Sequence, residues 1–338
     1  MHDIDQRDRE LLNALQGDVP LASTPFAIIG QMIDMSEKEV IKRIERLKRE
    51  GLIRQVSAQF DMRALGYRSC LVAASVPEEK VDQAANVINA HPGVTQNYRR
   101  NHTLNLWFTV AVGSSSKLGL DRTIEILGEQ AECDSVRPLP TLKLYKTSGA
   151  EGSESHPEGD ADATPLTPQE IECVRLLQRD LPLHPRPFET LGRTSSLGAD
   201  EILNAARTLL SRGQMRRFGA FVQPRKSGFV ATAMGVWAVP ADRADDLGRK
   251  MSENRAVSHC YLRPTYDDWP YNLYTTVHGR SVDECDSIIN DLAIDTGVEE
   301  KRALYPTREF KKVRLQFFSP EADEWESAHA GAREAAAS

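Results

Sequence analysis

The chain is poor in cysteine, with five in all: Cys70, Cys133, Cys173, Cys260 and Cys285. They are widely spaced, form no CxxC pair and match no zinc spacing, which argues against a zinc ribbon, a redox CxxC motif and a disulfide framework. An odd set of scattered thiols is expected to stay reduced. Long apolar runs are missing too. None approaches the roughly 18 residues that a bilayer-crossing helix needs, so no membrane partner is expected. The first ten residues, MHDIDQRDRE, are charged and carry no apolar signal core. A cytoplasmic location is the expectation. Positive charge is not in surplus either: Lys and Arg number 42 against 49 Asp and Glu, a formal net charge of −7. A dedicated DNA binder neutralises phosphates with a basic face, so DNA is not the expected partner unless charge is segregated.

What is present is a sequence written twice over 338 residues. Leu11–Leu21 (LLNALQGDVPL) returns as Cys173–Leu183 (CVRLLQRDLPL), with Pro20 recurring 162 residues on as Pro182. Pro25-Phe26 returns as Pro187-Phe188, and Gly51-Leu52-Ile53-Arg54 as Gly213-Gln214-Met215-Arg216. Tyr98-Arg99-Arg100 with Asn105-Leu106-Trp107 faces Tyr261-Leu262-Arg263 with Asn272-Leu273-Tyr274. A duplicated chain can form an intramolecular pseudo-dimer, and its copies are free to diverge.

Each copy has two grammars. Leu11, Leu12 and Leu15 keep helical spacing, Pro25 suits a first helical turn, and Ser36 with Glu39 reads as a capping box before Val40, Ile41, Ile44 and Leu47. Gly51 ends that helix, and Leu52–Phe60 alternates as a small strand or wing. This is a helix-turn-helix. From Ser69 the order becomes strand, helix, two strands (Thr95–Arg100 and Leu104–Val112), helix, then a last strand at Val136–Tyr145. That is the ferredoxin-like βαββαβ pattern, repeated from Ala231 to a last strand at Glu299–Tyr305. The expected fold is therefore α+β, a tandem repeat of winged helix-turn-helix plus ferredoxin-like domain. Its expected segments are 1–60, 61–147, a flexible linker at 148–165 rich in Gly, Ser, Glu, Asp and Pro, then 166–225, 226–320 and a dispensable, frayed tail at 321–338.

A helix-turn-helix followed by βαββαβ resembles the Lrp/AsnC architecture, carried here by Asp5–Leu15, Ser36–Arg54 and the turn His91-Pro92-Gly93-Val94. A sharper likeness lies in the strand pairs. Tyr98-Arg99-Arg100-Asn101-His102 with Asn105-Leu106-Trp107-Phe108-Thr109 resembles one subunit type of siroheme decarboxylase. Tyr261-Leu262-Arg263, Trp269-Pro270-Tyr271-Asn272-Leu273-Tyr274 and His278-Gly279 resemble the other. The fused pair is similar to the form serving the d1-haem branch, over about residues 3–318. The resemblance implies removal of two acetate carboxylates from siroheme, giving 12,18-didecarboxysiroheme. It implies no cofactor beyond the iron tetrapyrrole that is the substrate. Further homodimerisation and contact with other d1-haem pathway proteins are possible partners on the same ground.

A polycarboxylate tetrapyrrole calls for arginines, aromatic surface and a proton donor near each departing carboxylate. The candidate proton donors are His102, in the turn between two strands, His259, and the recurring pair Tyr98 and Tyr261. Either histidine could instead contact the substrate iron axially; no protein-bound metal is expected. Candidate substrate contacts are Arg54, Arg99, Arg100, Arg216, Arg217 and Arg263, with Asn105, Trp107, Trp269, Tyr271 and Asn272. Recurrence of Arg100 as Arg263 counts in favour of function. Trp269 lies in an eight-residue stretch, Pro264–Tyr271, where the first copy has only Asn101–Leu104, and such a loop could cap a ligand. His278 is a weaker candidate and His91 reads as structural.

Two rival readings remain. One is an Lrp/AsnC-type regulator binding DNA and a small effector. The helix that would read DNA carries Lys38, Lys42, Arg43, Arg46, Lys48 and Arg49 among four glutamates, but the second copy has only Arg207 and Arg212 there. The other is a tetrapyrrole-binding or chaperone module without catalysis.

Overall fold

The computed structural model describes residues 4–147, 164–222 and 231–330. The first half runs α1 (Gln6–Gln16), α2 (Pro25–Met32), α3 (Glu37–Arg49), β1 (Ile53–Phe60), β2 (Arg68–Ser75), α4 (Val81–Asn89), β3 (Val94–Arg100), β4 (Leu106–Val112), α5 (Gly119–Gln130), β5 (Ser135–Leu139) and β6 (Lys143–Thr147). The second half repeats it as α6 (Pro168–Leu177), α7 (Pro187–Gly192), α8 (Ala199–Ser211), β7 (Met215–Val222), β8 (Ala231–Trp237), α9 (Ala244–Glu253), β9 (Val257–Leu262), β10 (Leu273–Gly279), α10 (Val282–Thr296), β11 (Lys301–Leu304) and β12 (Pro306–Lys312). It adds α11 (Pro320–Ala330).

Two compact units form, and neither is continuous in sequence. The first comprises Met1–Gly66, Ala161–Ser227 and Gln316–Ser319. It holds both helix-turn-helix copies. Ser36 Oγ accepts the Glu39 N–H at 3.2 Å, but the reciprocal half of the box is not made, because the Glu39 carboxylate turns to Arg43 and Arg7. Thr167 and Glu170 make the complete box on α6. Val40, Ile44 and Leu47 of α3 are fully buried, a contribution of about 1.5–3 kcal/mol each. Gly51 and Gly213 end α3 and α8 at φ +73° and +71°, the left-handed conformation that disfavours any side chain. The wings β1 and β7 pair antiparallel with each other. Val19 N–H donates to Phe218 O and Leu181 N–H to Val56 O, both at 2.7 Å, so the pseudo-twofold holds at the level of single backbone bonds.

The second unit comprises Tyr67–Asp160, Gly228–Leu315 and Pro320–Ser338. It contains two five-stranded sheets, ordered β12-β3-β4-β2-β5 and β11-β8-β10-β9-β6. Four strands of each follow the ferredoxin-like order, and the fifth comes from the other copy. The expected single strand at Val136–Tyr145 is thus two: β5 stays in its own sheet, while β6 crosses to pair with β9. The expected last strand at Glu299–Tyr305 is likewise β11, followed by an unforeseen β12 that crosses to β3. A short break between the two strands let one alternating pattern read as a single strand.

Each sheet buries its outer face under helices: α4 and α5 cover Val72, Leu106, Phe108 and Val110, while α9 and α10 cover Ala233, Trp237, Leu273 and Val277. The inner faces share one aromatic cluster containing Trp107, Tyr261, Trp269, Tyr271 and Tyr274. The tail is not a frayed appendage as far as Ala330. Trp325 of α11 packs on the first core, and Glu326 accepts from Ser116 Oγ at 2.7 Å and from the Leu118 N–H. Most of the expected linker, and the residues beyond 330, lie outside the described residues.

Candidate functional site

The β3–β4 and β9–β10 hairpins each present an arginine to the last strand of the other copy. Arg100 Nη1 donates to Leu304 O at 3.1 Å, and Arg263 Nη1 donates to Leu139 O. Arg100 lies 5.9 and 5.7 Å from the ring centres of Tyr98 and Trp107; Arg263 lies 4.9 and 5.4 Å from Tyr261 and Tyr274. Burial pulls the Arg100 pKa down to about 10, with the nearby Tyr98 opposing it, so the group remains cationic at neutral pH. Arg263 is 3% exposed. These two arginines staple the copies of the pseudo-dimer to each other.

The recurring asparagines are both bonded to backbone. Asn105 accepts the Val76 N–H at 3.0 Å and donates to Val76 O at 2.8 Å. Asn272 does the same to Val239 at 3.0 and 2.9 Å. Each satisfies the backbone where a neighbouring strand ends. Trp107, 1% exposed, donates Nε1–H to Leu104 O, and Trp269, fully buried, donates to Tyr274 Oη, each at 2.6 Å. Trp269 is packed into the inner cluster, so the loop that carries it is anchored rather than free to cap.

Symmetry breaks one step away. Arg137 on β5 and Arg302 on β11 occupy equivalent places, each two residues before a leucine whose carbonyl takes a staple. Arg137 is neutralised by Asp268 at 3.0 and 2.9 Å. Arg302 donates Nε–H to Tyr271 Oη at 2.7 Å, is exposed, and has no carboxylate partner among the described residues. Beside it lies His102, half-buried, its ring edge-on to Trp269 at 5.2 Å. Leu104 N–H donates to His102 Nδ1 at 3.0 Å, which puts the proton of the neutral ring on Nε2. Burial, then the charge of Arg302, lowers the His102 pKa and keeps the ring neutral near pH 7. The result is a cationic guanidinium, a phenol and an imidazole N–H at one corner, suited to a carboxylate. Sequence reading missed Arg302, although aligning the ends of the two copies places it opposite Arg137.

A second cluster lies on the inner face of the second sheet. Ser258 Oγ is 2.8 Å from His259 Nδ1 and 2.7 Å from His278 Nε2, and His278 Nδ1 is 3.1 Å from Thr232 Oγ1. The His259 ring stacks on Tyr261 at 5.9 Å. Burial lowers the His278 pKa. Tyr98, the counterpart of Tyr261, is instead held beside Glu309 of β12, and burial pushes its phenol up to about 12, with Glu309 adding to the effect.

The remaining candidates have other surroundings. Arg99 points away from Tyr98 along the strand and pairs with Glu78. Arg54, Arg216 and Arg217 belong to the first unit; Arg216 is bound to Asp61 at 2.6 Å, and Arg217 donates to Gln59 Oε1 at 2.8 Å. On α3, Arg43 and Arg46 are drawn back onto the fully buried Asp8 at 2.7 and 2.6 Å. No group of three or more His, Cys, Asp or Glu that could hold a metal occurs among the described residues, and no helix among them is long and apolar enough to cross a membrane.

The fold defines a class: tandem proteins of AsnC-like type. A family model described as an AsnC-like ligand binding domain matches residues 64–146 and 226–311, and one described as the siroheme decarboxylase NirDL-like HTH domain matches 8–54 and 170–216. A siroheme decarboxylase of Hydrogenobacter thermophilus is 34% identical over 322 residues, covering 94% of this chain and 96% of that protein. The crystal structure of the siroheme decarboxylase NirDL in co-complex with an iron-uroporphyrin III analogue superposes with a TM-score of 0.82 at 32% identity, covering 97% of this chain and 100% of that one. In Desulfovibrio desulfuricans the relatives are separate chains: an alpha subunit 40% identical over 43% of this chain (82% of its own length), and a beta subunit 35% identical over 46% (98% of its own). The chain belongs to the siroheme decarboxylase family, in its fused form.

Proposed function

We propose that this chain is a carboxy-lyase that removes the C12 and C18 acetate carboxylates of siroheme to give 12,18-didecarboxysiroheme. The observation that carries this reading is the end-to-end likeness to siroheme decarboxylase, which covers both unlike copies at once. In each step the bond between the acetate methylene and its carboxylate breaks. Carbon dioxide leaves, the bonding pair stays on the methylene carbon in conjugation with the pyrrole, and one proton converts it to a methyl group. The balance is redox-neutral, so nothing beyond the substrate and a proton source is consumed.

The two clusters divide that work. Arg302, Tyr271 Oη and His102 Nε2–H bind a substrate carboxylate. Ligation of the substrate iron by His102 Nε2 would need the other tautomer, whose Nδ1–H opposes the Leu104 N–H. His259 supplies the proton, with Tyr261 stacked against it fixing its plane. The five thiols are free, which fits a reducing compartment such as the cytoplasm. A DNA-binding regulator is the weaker reading, since α3 spends Arg43 and Arg46 on internal ion pairs. Anaerobic incubation of the purified protein with siroheme, followed by mass spectrometry, should show two successive losses of carbon dioxide. An unchanged substrate mass would refute the enzyme reading; a shifted Soret band without mass change would leave a binding module.

A further inference from the structure

The second sheet carries a β-bulge that the first sheet repeats with different side chains. In β9 the register passes from Val257 opposite Val277 to His259 opposite Thr276, leaving Ser258 as the extra residue. In β3 it passes from Val94 opposite Val110 to Gln96 opposite Thr109, leaving Thr95. A bulge turns an additional side chain toward one face of a sheet, and bulges are frequent beside active sites. Here it brings the Ser258 hydroxyl between two imidazoles that lie on adjacent strands. The first copy has the same bulge, but the places of His259, His278 and Thr232 are taken by Gln96, Ala111 and Ser69, so no imidazole stands on either side of the bulge there.

We propose that Ser258 and His278 are positioning and relay residues that reprotonate His259 between the two decarboxylations, a role that rests on the functional reading above. A hydroxyl has one proton to give and two lone pairs to receive with, so Ser258 can donate to one ring nitrogen while accepting from the other. As His259 delivers its Nε2 proton to the substrate carbon, Ser258 Oγ–H passes a proton to His259 Nδ1 and takes one from His278 Nε2–H, which keeps the His259 ring neutral; the reverse transfer, with a solvent proton taken up at His259 Nε2, restores the starting tautomer. His278, half-buried and bonded to Thr232 at its other nitrogen, gains a solvent proton there in the forward transfer and returns it in the reverse. The net consumption is one solvent proton per carbon dioxide released, as the chemistry requires. The weaker alternative bond from Ser258 Oγ, to Thr276 O at 3.4 Å, leaves the hydroxyl free to rotate between the rings.

The test uses the full chain with siroheme under anaerobic conditions, comparing Ser258→Ala, Ser258→Thr, His278→Gln and, as the control in the other copy, Thr95→Ala. The expected result is a kcat lowered on the order of tenfold or more by Ser258→Ala and by His278→Gln, with KM unchanged. Ser258→Thr, which keeps the hydroxyl, should restore the rate, and the double variant should be no slower than the slower single one, since both act in series. Thr95→Ala should leave the rate alone. An unaltered kcat in Ser258→Ala, or a loss that threonine does not rescue and that tracks a fall in melting temperature, overturns the relay while leaving the enzyme reading intact. Failure of the wild-type chain to convert siroheme overturns both. The imidazole nitrogen-15 shifts of His259 and His278 should move together in Ser258→Ala; shifts that stay put would also reject the shared hydroxyl.

Discussion

Two corners of the second unit are related by the internal duplication, and only one is left open. At the first, Arg137 is closed by Asp268 from the chain itself. At the second, Arg302 faces a phenol and a neutral histidine and has no carboxylate among the described residues. The same split runs through the inner faces, where Ser258, His259 and His278 stand against Thr95, Gln96 and Ala111. What the copies share has turned out to be architecture: Arg100 and Arg263 staple, and Asn105 and Asn272 hold strand ends. What they do not share are the groups at the open corner and at the bulge. Residues that build a pseudo-dimer are needed on both sides, whereas a reacting group is needed once.

The largest effect should come from breaking that asymmetry at His259, the proposed proton donor. His259→Ala is expected to lower kcat by about 10²–10⁴-fold, the usual worth of a general acid. Gln96→Ala at the equivalent place should leave kcat within error. His102→Ala acts on binding instead, raising KM by roughly ten- to a hundredfold through loss of a hydrogen bond to a charged group, with a smaller change in kcat. Steady-state kinetics on the three variants decides it. Equal losses at His259 and Gln96 would return both copies to the same footing.

A smaller effect follows from the loop present in one copy only. Trp269 is fully buried, 5.5 Å from Trp107 and 4.9 Å from Tyr271. Trp269→Ala should cost about 3–5 kcal/mol of stability from the cavity it leaves. It should also free the ring edge of His102. Thermal denaturation reads the first. A melting temperature within error of wild type would mean that the loop lies over the surface as a cap, as its length first suggested.

The architecture was legible because it rests on periodicity. The helix-turn-helix, the βαββαβ order and the offset of the copies all follow from apolar spacing, proline and glycine. The crossing strands β6 and β12 were not legible, since a strand pattern carries no mark of which sheet it joins. His102, His259 and the aromatic cluster were found as candidates. Arg302 and Ser258 were missed because neither residue type is unusual in a strand; only their neighbours in space, Tyr271 and two histidines, give them a role. Recurrence of Arg100 and Arg263 marks what both copies need, and in both it places a guanidinium on a backbone carbonyl of the other copy.

The smallest contrast lies in the turn before the second strand of each copy. His91 Nδ1 accepts the Gly93 N–H at 2.9 Å, and Asn254 Oδ1 accepts the Ala256 N–H at 2.9 Å, so two different side chains cap the same turn. Only one of them titrates. His91 is 4% exposed, edge-on to Trp325 at 4.4 Å, and its pKa falls from 6.5 to about 4. Burial is the main cause, followed by the charges of Lys311 and His329. A histidine depressed in the folded state is held neutral there and protonates first in the unfolded chain. Its stability contribution is therefore complete above pH 6.5 and is lost as the pH falls from 6.5 toward 4. At pH 5 the loss amounts to about 2 kcal/mol, at 1.36 kcal/mol per pKa unit. His91→Asn copies the cap of the other turn and removes the titration. The difference in unfolding free energy between wild type and variant should therefore change by that amount between pH 7 and pH 5, with the shared carboxylates cancelling. Parallel pH profiles for the two proteins would show that the His91 turn and the α11 helix packed on it open before the ring protonates, and that the two turns are equally indifferent to acid.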